Sequence, residues 1–268
     1  MLKLKKLTYI FTFLSFLTYF SQANAEIKVV ASIKPIHSLA SYLLDGVKKP
    51  DLIVDGYASP HGFAMKPSHA KMLQEADLIF WVGEDIESFL VKPLGSIAKK
   101  AEKIELMEIK GIKKLKFRER NIFDGHDDHG HKEDDHDDHA KKEDGHDDHD
   151  HDKDEHKEDG HDDHGHEGHA HGEFDPHIWL DPLNAKKILK EMAKHLIEND
   201  QANESIYKEN LKKANKDLDK LVKQVKSELN KDFKSIVFHD AYQYFEKRFK
   251  VNVLGAFTVN TDVLPGAE

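Results

Sequence analysis

Ile27-Lys28-Val29-Val30-Ala31-Ser32-Ile33-Lys34-Pro35-Ile36-His37-Ser38-Leu39-Ala40-Ser41-Tyr42-Leu43-Leu44 decides the fold. Ile27–Ile33 reads as a strand, and Ile36–Leu44 as a helix that begins after Pro35. The alternation continues outward from there. Leu52–Val54 is a second strand, Ser68–Ala76 a helix, Leu78–Val82 a third strand and Ile104–Leu106 a fourth. Apolar strands set between helices indicate a parallel sheet covered on both faces, so residues 26–123 are expected to form an α/β lobe.

The pattern resumes beyond residue 175. A short segment, 176–181, precedes linker helices over 182–231. Pro182 opens the first of them, which runs to about Glu198 and is broken around Asn199–Asn203. The second carries Tyr207, Leu211, Ala214, Leu218, Leu221, Val225 and Leu229 at alternating spacings of four and three. From Glu204 to Asn230 it would reach roughly 40 Å at 1.5 Å per residue. Ser235–Phe238 and Val251–Leu254 restart the strand pattern in 232–268, as the start of a second α/β lobe would. Two strands and one helix make a poor independent core. The expected architecture is therefore α/β, with two parallel-sheet lobes joined by a long helix and the second lobe incomplete in this chain.

Residues 1–25 are set apart from the fold. Lys3, Lys5 and Lys6 precede the apolar run Leu7–Phe20, and Ala23-Asn24-Ala25 is a small-x-small cleavage site. The run is short for a bilayer span. A cleavable signal peptide and a periplasmic, unlipidated mature protein starting at Glu26 are expected. The chain has no Cys, which excludes disulfides and thiolate sites and leaves His, Asp and Glu as its strong metal ligands.

Between the two lobes, residues 124–175 hold 14 of the 20 histidines among 23 acidic residues and 5 lysines. His-Asp-Asp-His recurs at His126–His129, His136–His139, His146–His149 and His161–His164. The other histidines of the segment are His131, His151, His156, His166, His169 and His171. So few apolar residues cannot form a packed core, and the segment is expected to be a disordered loop. Imidazole favours zinc, copper and nickel, and the carboxylates add a negative field, so the loop points to divalent metal held as a low-affinity accessory. It carries −18 of a total formal charge of −10. The basic excess elsewhere is small and spread out, which gives no argument for nucleic acid.

Six histidines lie outside the insert. His195 sits in a lysine-rich amphipathic helix and His69 in the first turn of another, and both are expected at the surface. His37 is expected to make a local hydrogen bond. His61, in Ala58-Ser59-Pro60-His61-Gly62, follows a strand. His177 lies between two Asp-Pro pairs, in Asp175-Pro176-His177-Ile178-Trp179-Leu180-Asp181-Pro182, and His239 directly follows Ser235–Phe238. In open α/β sheets ligands collect beyond the carboxyl ends of strands, where all three can reach. Singly, each fits an ordinary loop histidine as well as a ligand. With the metal-rich insert, a site built from all three is favoured.

These stretches resemble the periplasmic metal-binding proteins of ABC importers, most closely their zinc-uptake members. The matches include Ser59-Pro60-His61 with Pro67-Ser68, Leu73-Gln74-Glu75-Ala76-Asp77-Leu78, Trp81-Val82-Gly83-Glu84 and His177-Ile178-Trp179-Leu180-Asp181-Pro182. They continue through Val237-Phe238-His239-Asp240-Ala241-Tyr242-Gln243-Tyr244-Phe245-Glu246, Phe257-Thr258-Val259-Asn260 and Pro265-Gly266-Ala267. The resemblance implies that metal is bound between two lobes by His61, His177 and His239. Manganese and iron relatives usually carry Glu at the third position, so His239 favours zinc. Three imidazoles leave a fourth tetrahedral position for water or an insert carboxylate. Some zinc members have a Glu before the first ligand, where this chain has Pro60. Members of the family continue well past the Pro265 match.

The expected function is that of a monomeric carrier and not an enzyme. It would capture Zn²⁺ and deliver it to an inner-membrane ABC permease with its cytoplasmic ATPase. The competing readings are a periplasmic zinc buffer acting through the insert, a manganese- or iron-type binding protein, and a zinc hydrolase. Three imidazoles with an open position also suit hydrolysis, but no motif such as His-Glu-x-x-His places a general base.

Overall fold

The computed structural model describes residues 26–56, 58–118, 172–230 and 232–258. The expected leader at 1–25, the fourteen insert histidines and the Val259-Asn260 and Pro265-Gly266-Ala267 matches lie outside the described residues.

The apolar runs become β1 (Val29–Ala31), β2 (Asp51–Leu52), β3 (Leu78–Trp81) and β4 (Glu102–Glu105). They form one parallel sheet in the order β2-β1-β3-β4, with Val29 opposite Leu78 and Leu78 opposite Glu102. Every residue of β1 and β3 is buried, as strands covered on both faces must be. The chain leaves β1 for β2 on one side and returns to β3 on the other. That reversal opens a crevice at the carboxyl ends of the strands. The strand limits differ from the apolar runs by at most two residues at either end, because they are set by pairing with the neighbouring strand.

Helix α1 (Lys34–Leu43) has Pro35 in its first turn and buries Ile36, Ala40 and Leu43, a stripe at helical spacing. Helix α2 is Pro67–Glu75. Helix α3 (Glu84–Ser96) is not among the elements expected from the sequence. Pro93 and Gly95 break up its pattern, yet Ile86, Leu90 and Leu94 share one buried face. Glu87 leaves the helical region (φ −114, ψ 51), and its fully buried carboxylate is turned inward. There it accepts from Val82 N (3.1 Å), Gly83 N (3.0 Å) and Ser32 Oγ (2.5 Å). One side chain thus ties together the ends of β1 and β3 and the start of α3. Burial pushes the Glu87 carboxyl up to about 7, against the pull of these three bonds.

Helix α4 (Pro182–Asn199) is N-capped by Asp181, which accepts from Leu183 N at 2.9 Å. It buries Ile188, Leu189, Met192 and Leu196. Helix α5 (Glu204–Glu228) is 25 residues long, about 37 Å at 1.5 Å per residue. It packs on α4 and α1. Asn210 Nδ2 donates to the carbonyls of Leu43 and Asp45, both at 2.8 Å, and so satisfies orphan acceptors where α1 ends. The apolar spacing of α5 is covered only in part: Tyr207 and Ala214 are buried, whereas Leu221 is 47% exposed. Periodicity identifies a helix, not the length over which a partner covers it.

The second sheet pairs β5 (Lys234–His239) in parallel with β6 (Asn252–Thr258), connected by α6 (Gln243–Phe249). These are its two strands among the described residues. Ile236, Phe238, Leu254 and Phe257 are exposed on it.

The insert begins its return earlier than its composition suggests. Phe174 bridges to Lys116 in antiparallel fashion, Asp175 N donates to Leu115 O at 2.7 Å, and Asp175 is fully buried. Residues 173–175, grouped with the disordered loop on composition, therefore belong to the packed fold. Phe174 supplies the apolar side chain that the acidic run lacks.

Candidate metal centre

Each of the three histidines leaves the end of a different element. His61 follows β2 in a turn where Ser59 Oγ accepts its backbone N–H at 3.2 Å and Gly62 takes φ 72. His177 sits just before a single 3₁₀ turn, Ile178–Leu180, and His239 is the last residue of β5. Their ring centroids lie 6.5 Å (His61–His177), 6.2 Å (His61–His239) and 5.4 Å (His177–His239) apart. One ring nitrogen of each lies within 4.8 Å of the others. Residues separated by 62 to 178 positions in the chain are thus brought to one point on a crevice of about 800 Å³. Ile33, Pro60, Ile86, Trp179 and Phe238 are among the side chains lining it.

Polar contacts, most of them partly buried, join the β5–α6 segment to the His177 segment and to Leu115 and Arg118. Tyr244 Oη donates to Asp175 O (2.7 Å) and accepts from Leu115 N (2.9 Å). Arg248 grips Asp181 with two bonds, Nε to Oδ1 at 2.7 Å and Nη2 to Oδ2 at 2.6 Å. Arg118 pairs with Glu246 at 2.6 Å and approaches Asp240 at 3.2 Å. Burial raises the Asp240 carboxyl to about 6, with Arg118 opposing. These contacts hold the backbone that carries His177 to the backbone that carries His239.

Asp175 also sets the chemistry of His177. Its Oδ1 accepts from the backbone N–H of His177 (2.9 Å) and lies 2.7 Å from Nδ1. With the Nδ1 proton directed at Asp175, the Nε2 lone pair of the buried imidazole is left for an ion. The sequence carries Asp175 in an Asp-Pro pair, but its orienting role depends on tertiary geometry. Burial first, then the nearby His177 and His61, push the His239 imidazole down to about 4. It is therefore neutral across the physiological range and needs no proton removed before ligation. In the metal-free protein at neutral pH and below, the Cε1–H resonance of His239 is expected to titrate with a midpoint near 4. A midpoint near the ordinary 6.5 would show that the desolvated cluster does not form.

The remaining histidines divide. His37 Nε2 contacts Pro50 O at 3.0 Å, the local bond expected. His69 is only 5% exposed, where surface exposure was expected. Its Nδ1 accepts from Lys66 N (3.1 Å) and its ring packs on Phe63, so it caps α2 from inside. His195 is also less solvated than expected, its side chain 14% exposed among three glutamates.

The described fold and site thus comprise two parallel sheets, a long helix between them in chain order and three convergent imidazoles. Residues 29–268 match the family described as "Zinc-uptake complex component A periplasmic", and the chain belongs to that family. It is 45% identical over 249 residues to the high-affinity zinc uptake system protein ZnuA of Brucella abortus (strain 2308), covering 92% of this chain and 72% of that protein. Against the Yersinia pestis protein of the same name the identity is 34% over 248 residues, covering 91% and 70%. Among solved structures, the periplasmic zinc binding protein TroA from Treponema pallidum shares the fold. The TM-score is 0.64 at 17% identity, covering 91% of this chain and 71% of that one.

Proposed function

We propose that this chain captures Zn²⁺ in the periplasm through His61, His177 and His239, and delivers it to an inner-membrane ABC permease with its ATPase. The observation that carries this reading is the convergence of the three imidazoles, one of them oriented by Asp175. Neutral imidazole is suited to a borderline-soft ion, and three of them leave a position that water can fill and a permease can compete for. The names of the zinc-uptake relatives support zinc as the cargo. The protein acts as a monomeric carrier and not an enzyme. Capture needs only the ligands and their desolvated setting, whereas hydrolysis would also need a general base beside the open position.

The His/Asp-rich insert serves as a weak collector that raises the zinc concentration near the tight site. Equilibrium dialysis against chelator-buffered zinc tests both roles. The full chain is expected to retain one tightly held zinc plus several weakly held ones. Deletion of residues 124–171 is expected to remove only the weak ones. Loss of the tight zinc on that deletion would place the principal site in the insert and make the chain a buffer.

A further inference from the structure

A second cluster of ligand-type atoms lies away from the imidazole triad, at the other end of the first sheet. Glu102 opens β4, so it marks the amino end of a strand, whereas the triad lies beyond the carboxyl ends. His195 and Glu198 come from the last turn of α4. His195 Nδ1 lies 2.7 Å from Glu102 Oε1 and 3.6 Å from Glu198 Oε2, and ligand atoms of all three fall within 4.8 Å of one another.

Several features make this more than a surface ion pair. His195 Nδ1 is buried and, despite its short contact with Glu102, forms no properly directed hydrogen bond. The opposite ring nitrogen, Nε2, lies 3.2 Å from Glu191 Oε1. With its proton on Nε2 and directed at Glu191, the imidazole turns the Nδ1 lone pair toward two carboxylates, and an ion that separates Nδ1 from Glu102 Oε1 beyond their 2.7 Å contact would satisfy all three. Glu102 is itself oriented, since Asn199 Nδ2 donates to its Oε2 at 2.8 Å and to His195 O at 2.9 Å. The last turn of α4 contains no basic residue to offset the negative end of the helix dipole, and Glu198 adds to that charge. Lys194, immediately before, is engaged with Glu191 at 2.9 Å.

We infer that Glu102, His195 and Glu198 form a second, open site for a divalent transition ion, with Zn²⁺ as its ligand. One imidazole with two carboxylates suits zinc and leaves room for water, while the imidazole disfavours Mg²⁺. Glu102 and Glu198 are 41% and 54% exposed, so the ion exchanges freely with solvent and binds more weakly than at the triad. Bound there, it would clamp the end of α4 to the start of β4. The site is independent of the triad and stands whether or not the triad carries zinc for import.

The test uses the full chain labelled with ¹⁵N-histidine, with the His195 ring signals assigned through His195→Gln. Zinc is added beyond the amount that fills the tight site, with free Zn²⁺ set by a chelator buffer. His195 Nδ1 is expected to move saturably to a metal-bound shift, and excess Mg²⁺ to leave that shift in place. Glu102→Gln should weaken this response at least tenfold while the triad signals keep their zinc dependence. Glu198→Gln provides the same reading should the first variant be unstable in EDTA. If the His195 nitrogens answer only to pH, or if both Gln variants respond to zinc as the parent does, the cluster is an ion-pair network and the inference is overturned.

Discussion

Replacing His177 by Ala is expected to weaken the tight zinc site by about a thousandfold or more. Loss of a partner that merely orients a ligand typically costs about 10–100-fold in metal affinity, so loss of the ligand itself should exceed that range. His177 is the strongest choice among the three because it is the most fixed. It is 8% exposed, its backbone N–H and Nδ1 both engage Asp175, and Asp175 is held in turn through its carbonyl by Tyr244. His61 is in a turn after β2 and His239 ends an edge of the two-stranded sheet, so each has more freedom to be replaced by water. The expected order of loss is His177→Ala, then His239→Ala, then His61→Ala, measured by competition with a zinc chelator of known affinity. Sites as weak as those proposed for the insert would not compete at the low free zinc this requires. Retention of tight binding by His177→Ala would sink the carrier reading.

The second large effect concerns stability and falls on Glu87. Its carboxyl titrates near 7 when folded, against an ordinary value of 4.5. The folded protein therefore holds a proton over this window that the unfolded chain has released. Glu87's contribution is fully present below about pH 4.5 and is lost as pH rises through 7, by on the order of 3 kcal/mol. Glu87→Gln keeps an acceptor for the amides of Val82 and Gly83 but cannot ionise, so it should remove this slope. Glu87→Ala leaves those amides and the Ser32 hydroxyl unpaired in the core and should cost about 3 kcal/mol or more at any pH. Urea unfolding in EDTA at pH 5 and pH 8 provides the measurement. The parent should lose stability relative to Glu87→Gln between the two pH values, and parallel behaviour would show that Glu87 stays ionised. His239 acts in the opposite sense: its depressed value favours the fold above about 6.5, an advantage lost as pH falls toward 4. Comparing variants at one position cancels that contribution.

Much of the fold was legible because burial on both faces leaves a mark in composition. Strands β1 and β3 are continuous apolar runs, and α1, α4 and the first half of α5 carry stripes that meet a partner. Helix α3 escaped because Pro93 and Gly95 interrupt its pattern, and tertiary packing of Ile86, Leu90 and Leu94 outweighs that local signal. The burial of His69 is hidden from the sequence for a related reason. A polar residue in a first turn normally faces water, but here the ring turns inward to cap its own helix against Phe63.

The sequence by itself determined the class of fold, the histidine- and acid-rich insert and the identity of the three candidate ligands. Those depend on residue type, spacing and position relative to strand ends, all of which are local properties. Only the tertiary structure decided that the three imidazoles converge, that Asp175 orients one of them and that burial keeps another neutral. It alone placed a carboxylate in the core at Glu87 and set His195 among glutamates from two elements. Hydrogen-bond direction and desolvation depend on which distant residues share a few ångströms, and that proximity exists only once the sheets and helices have packed.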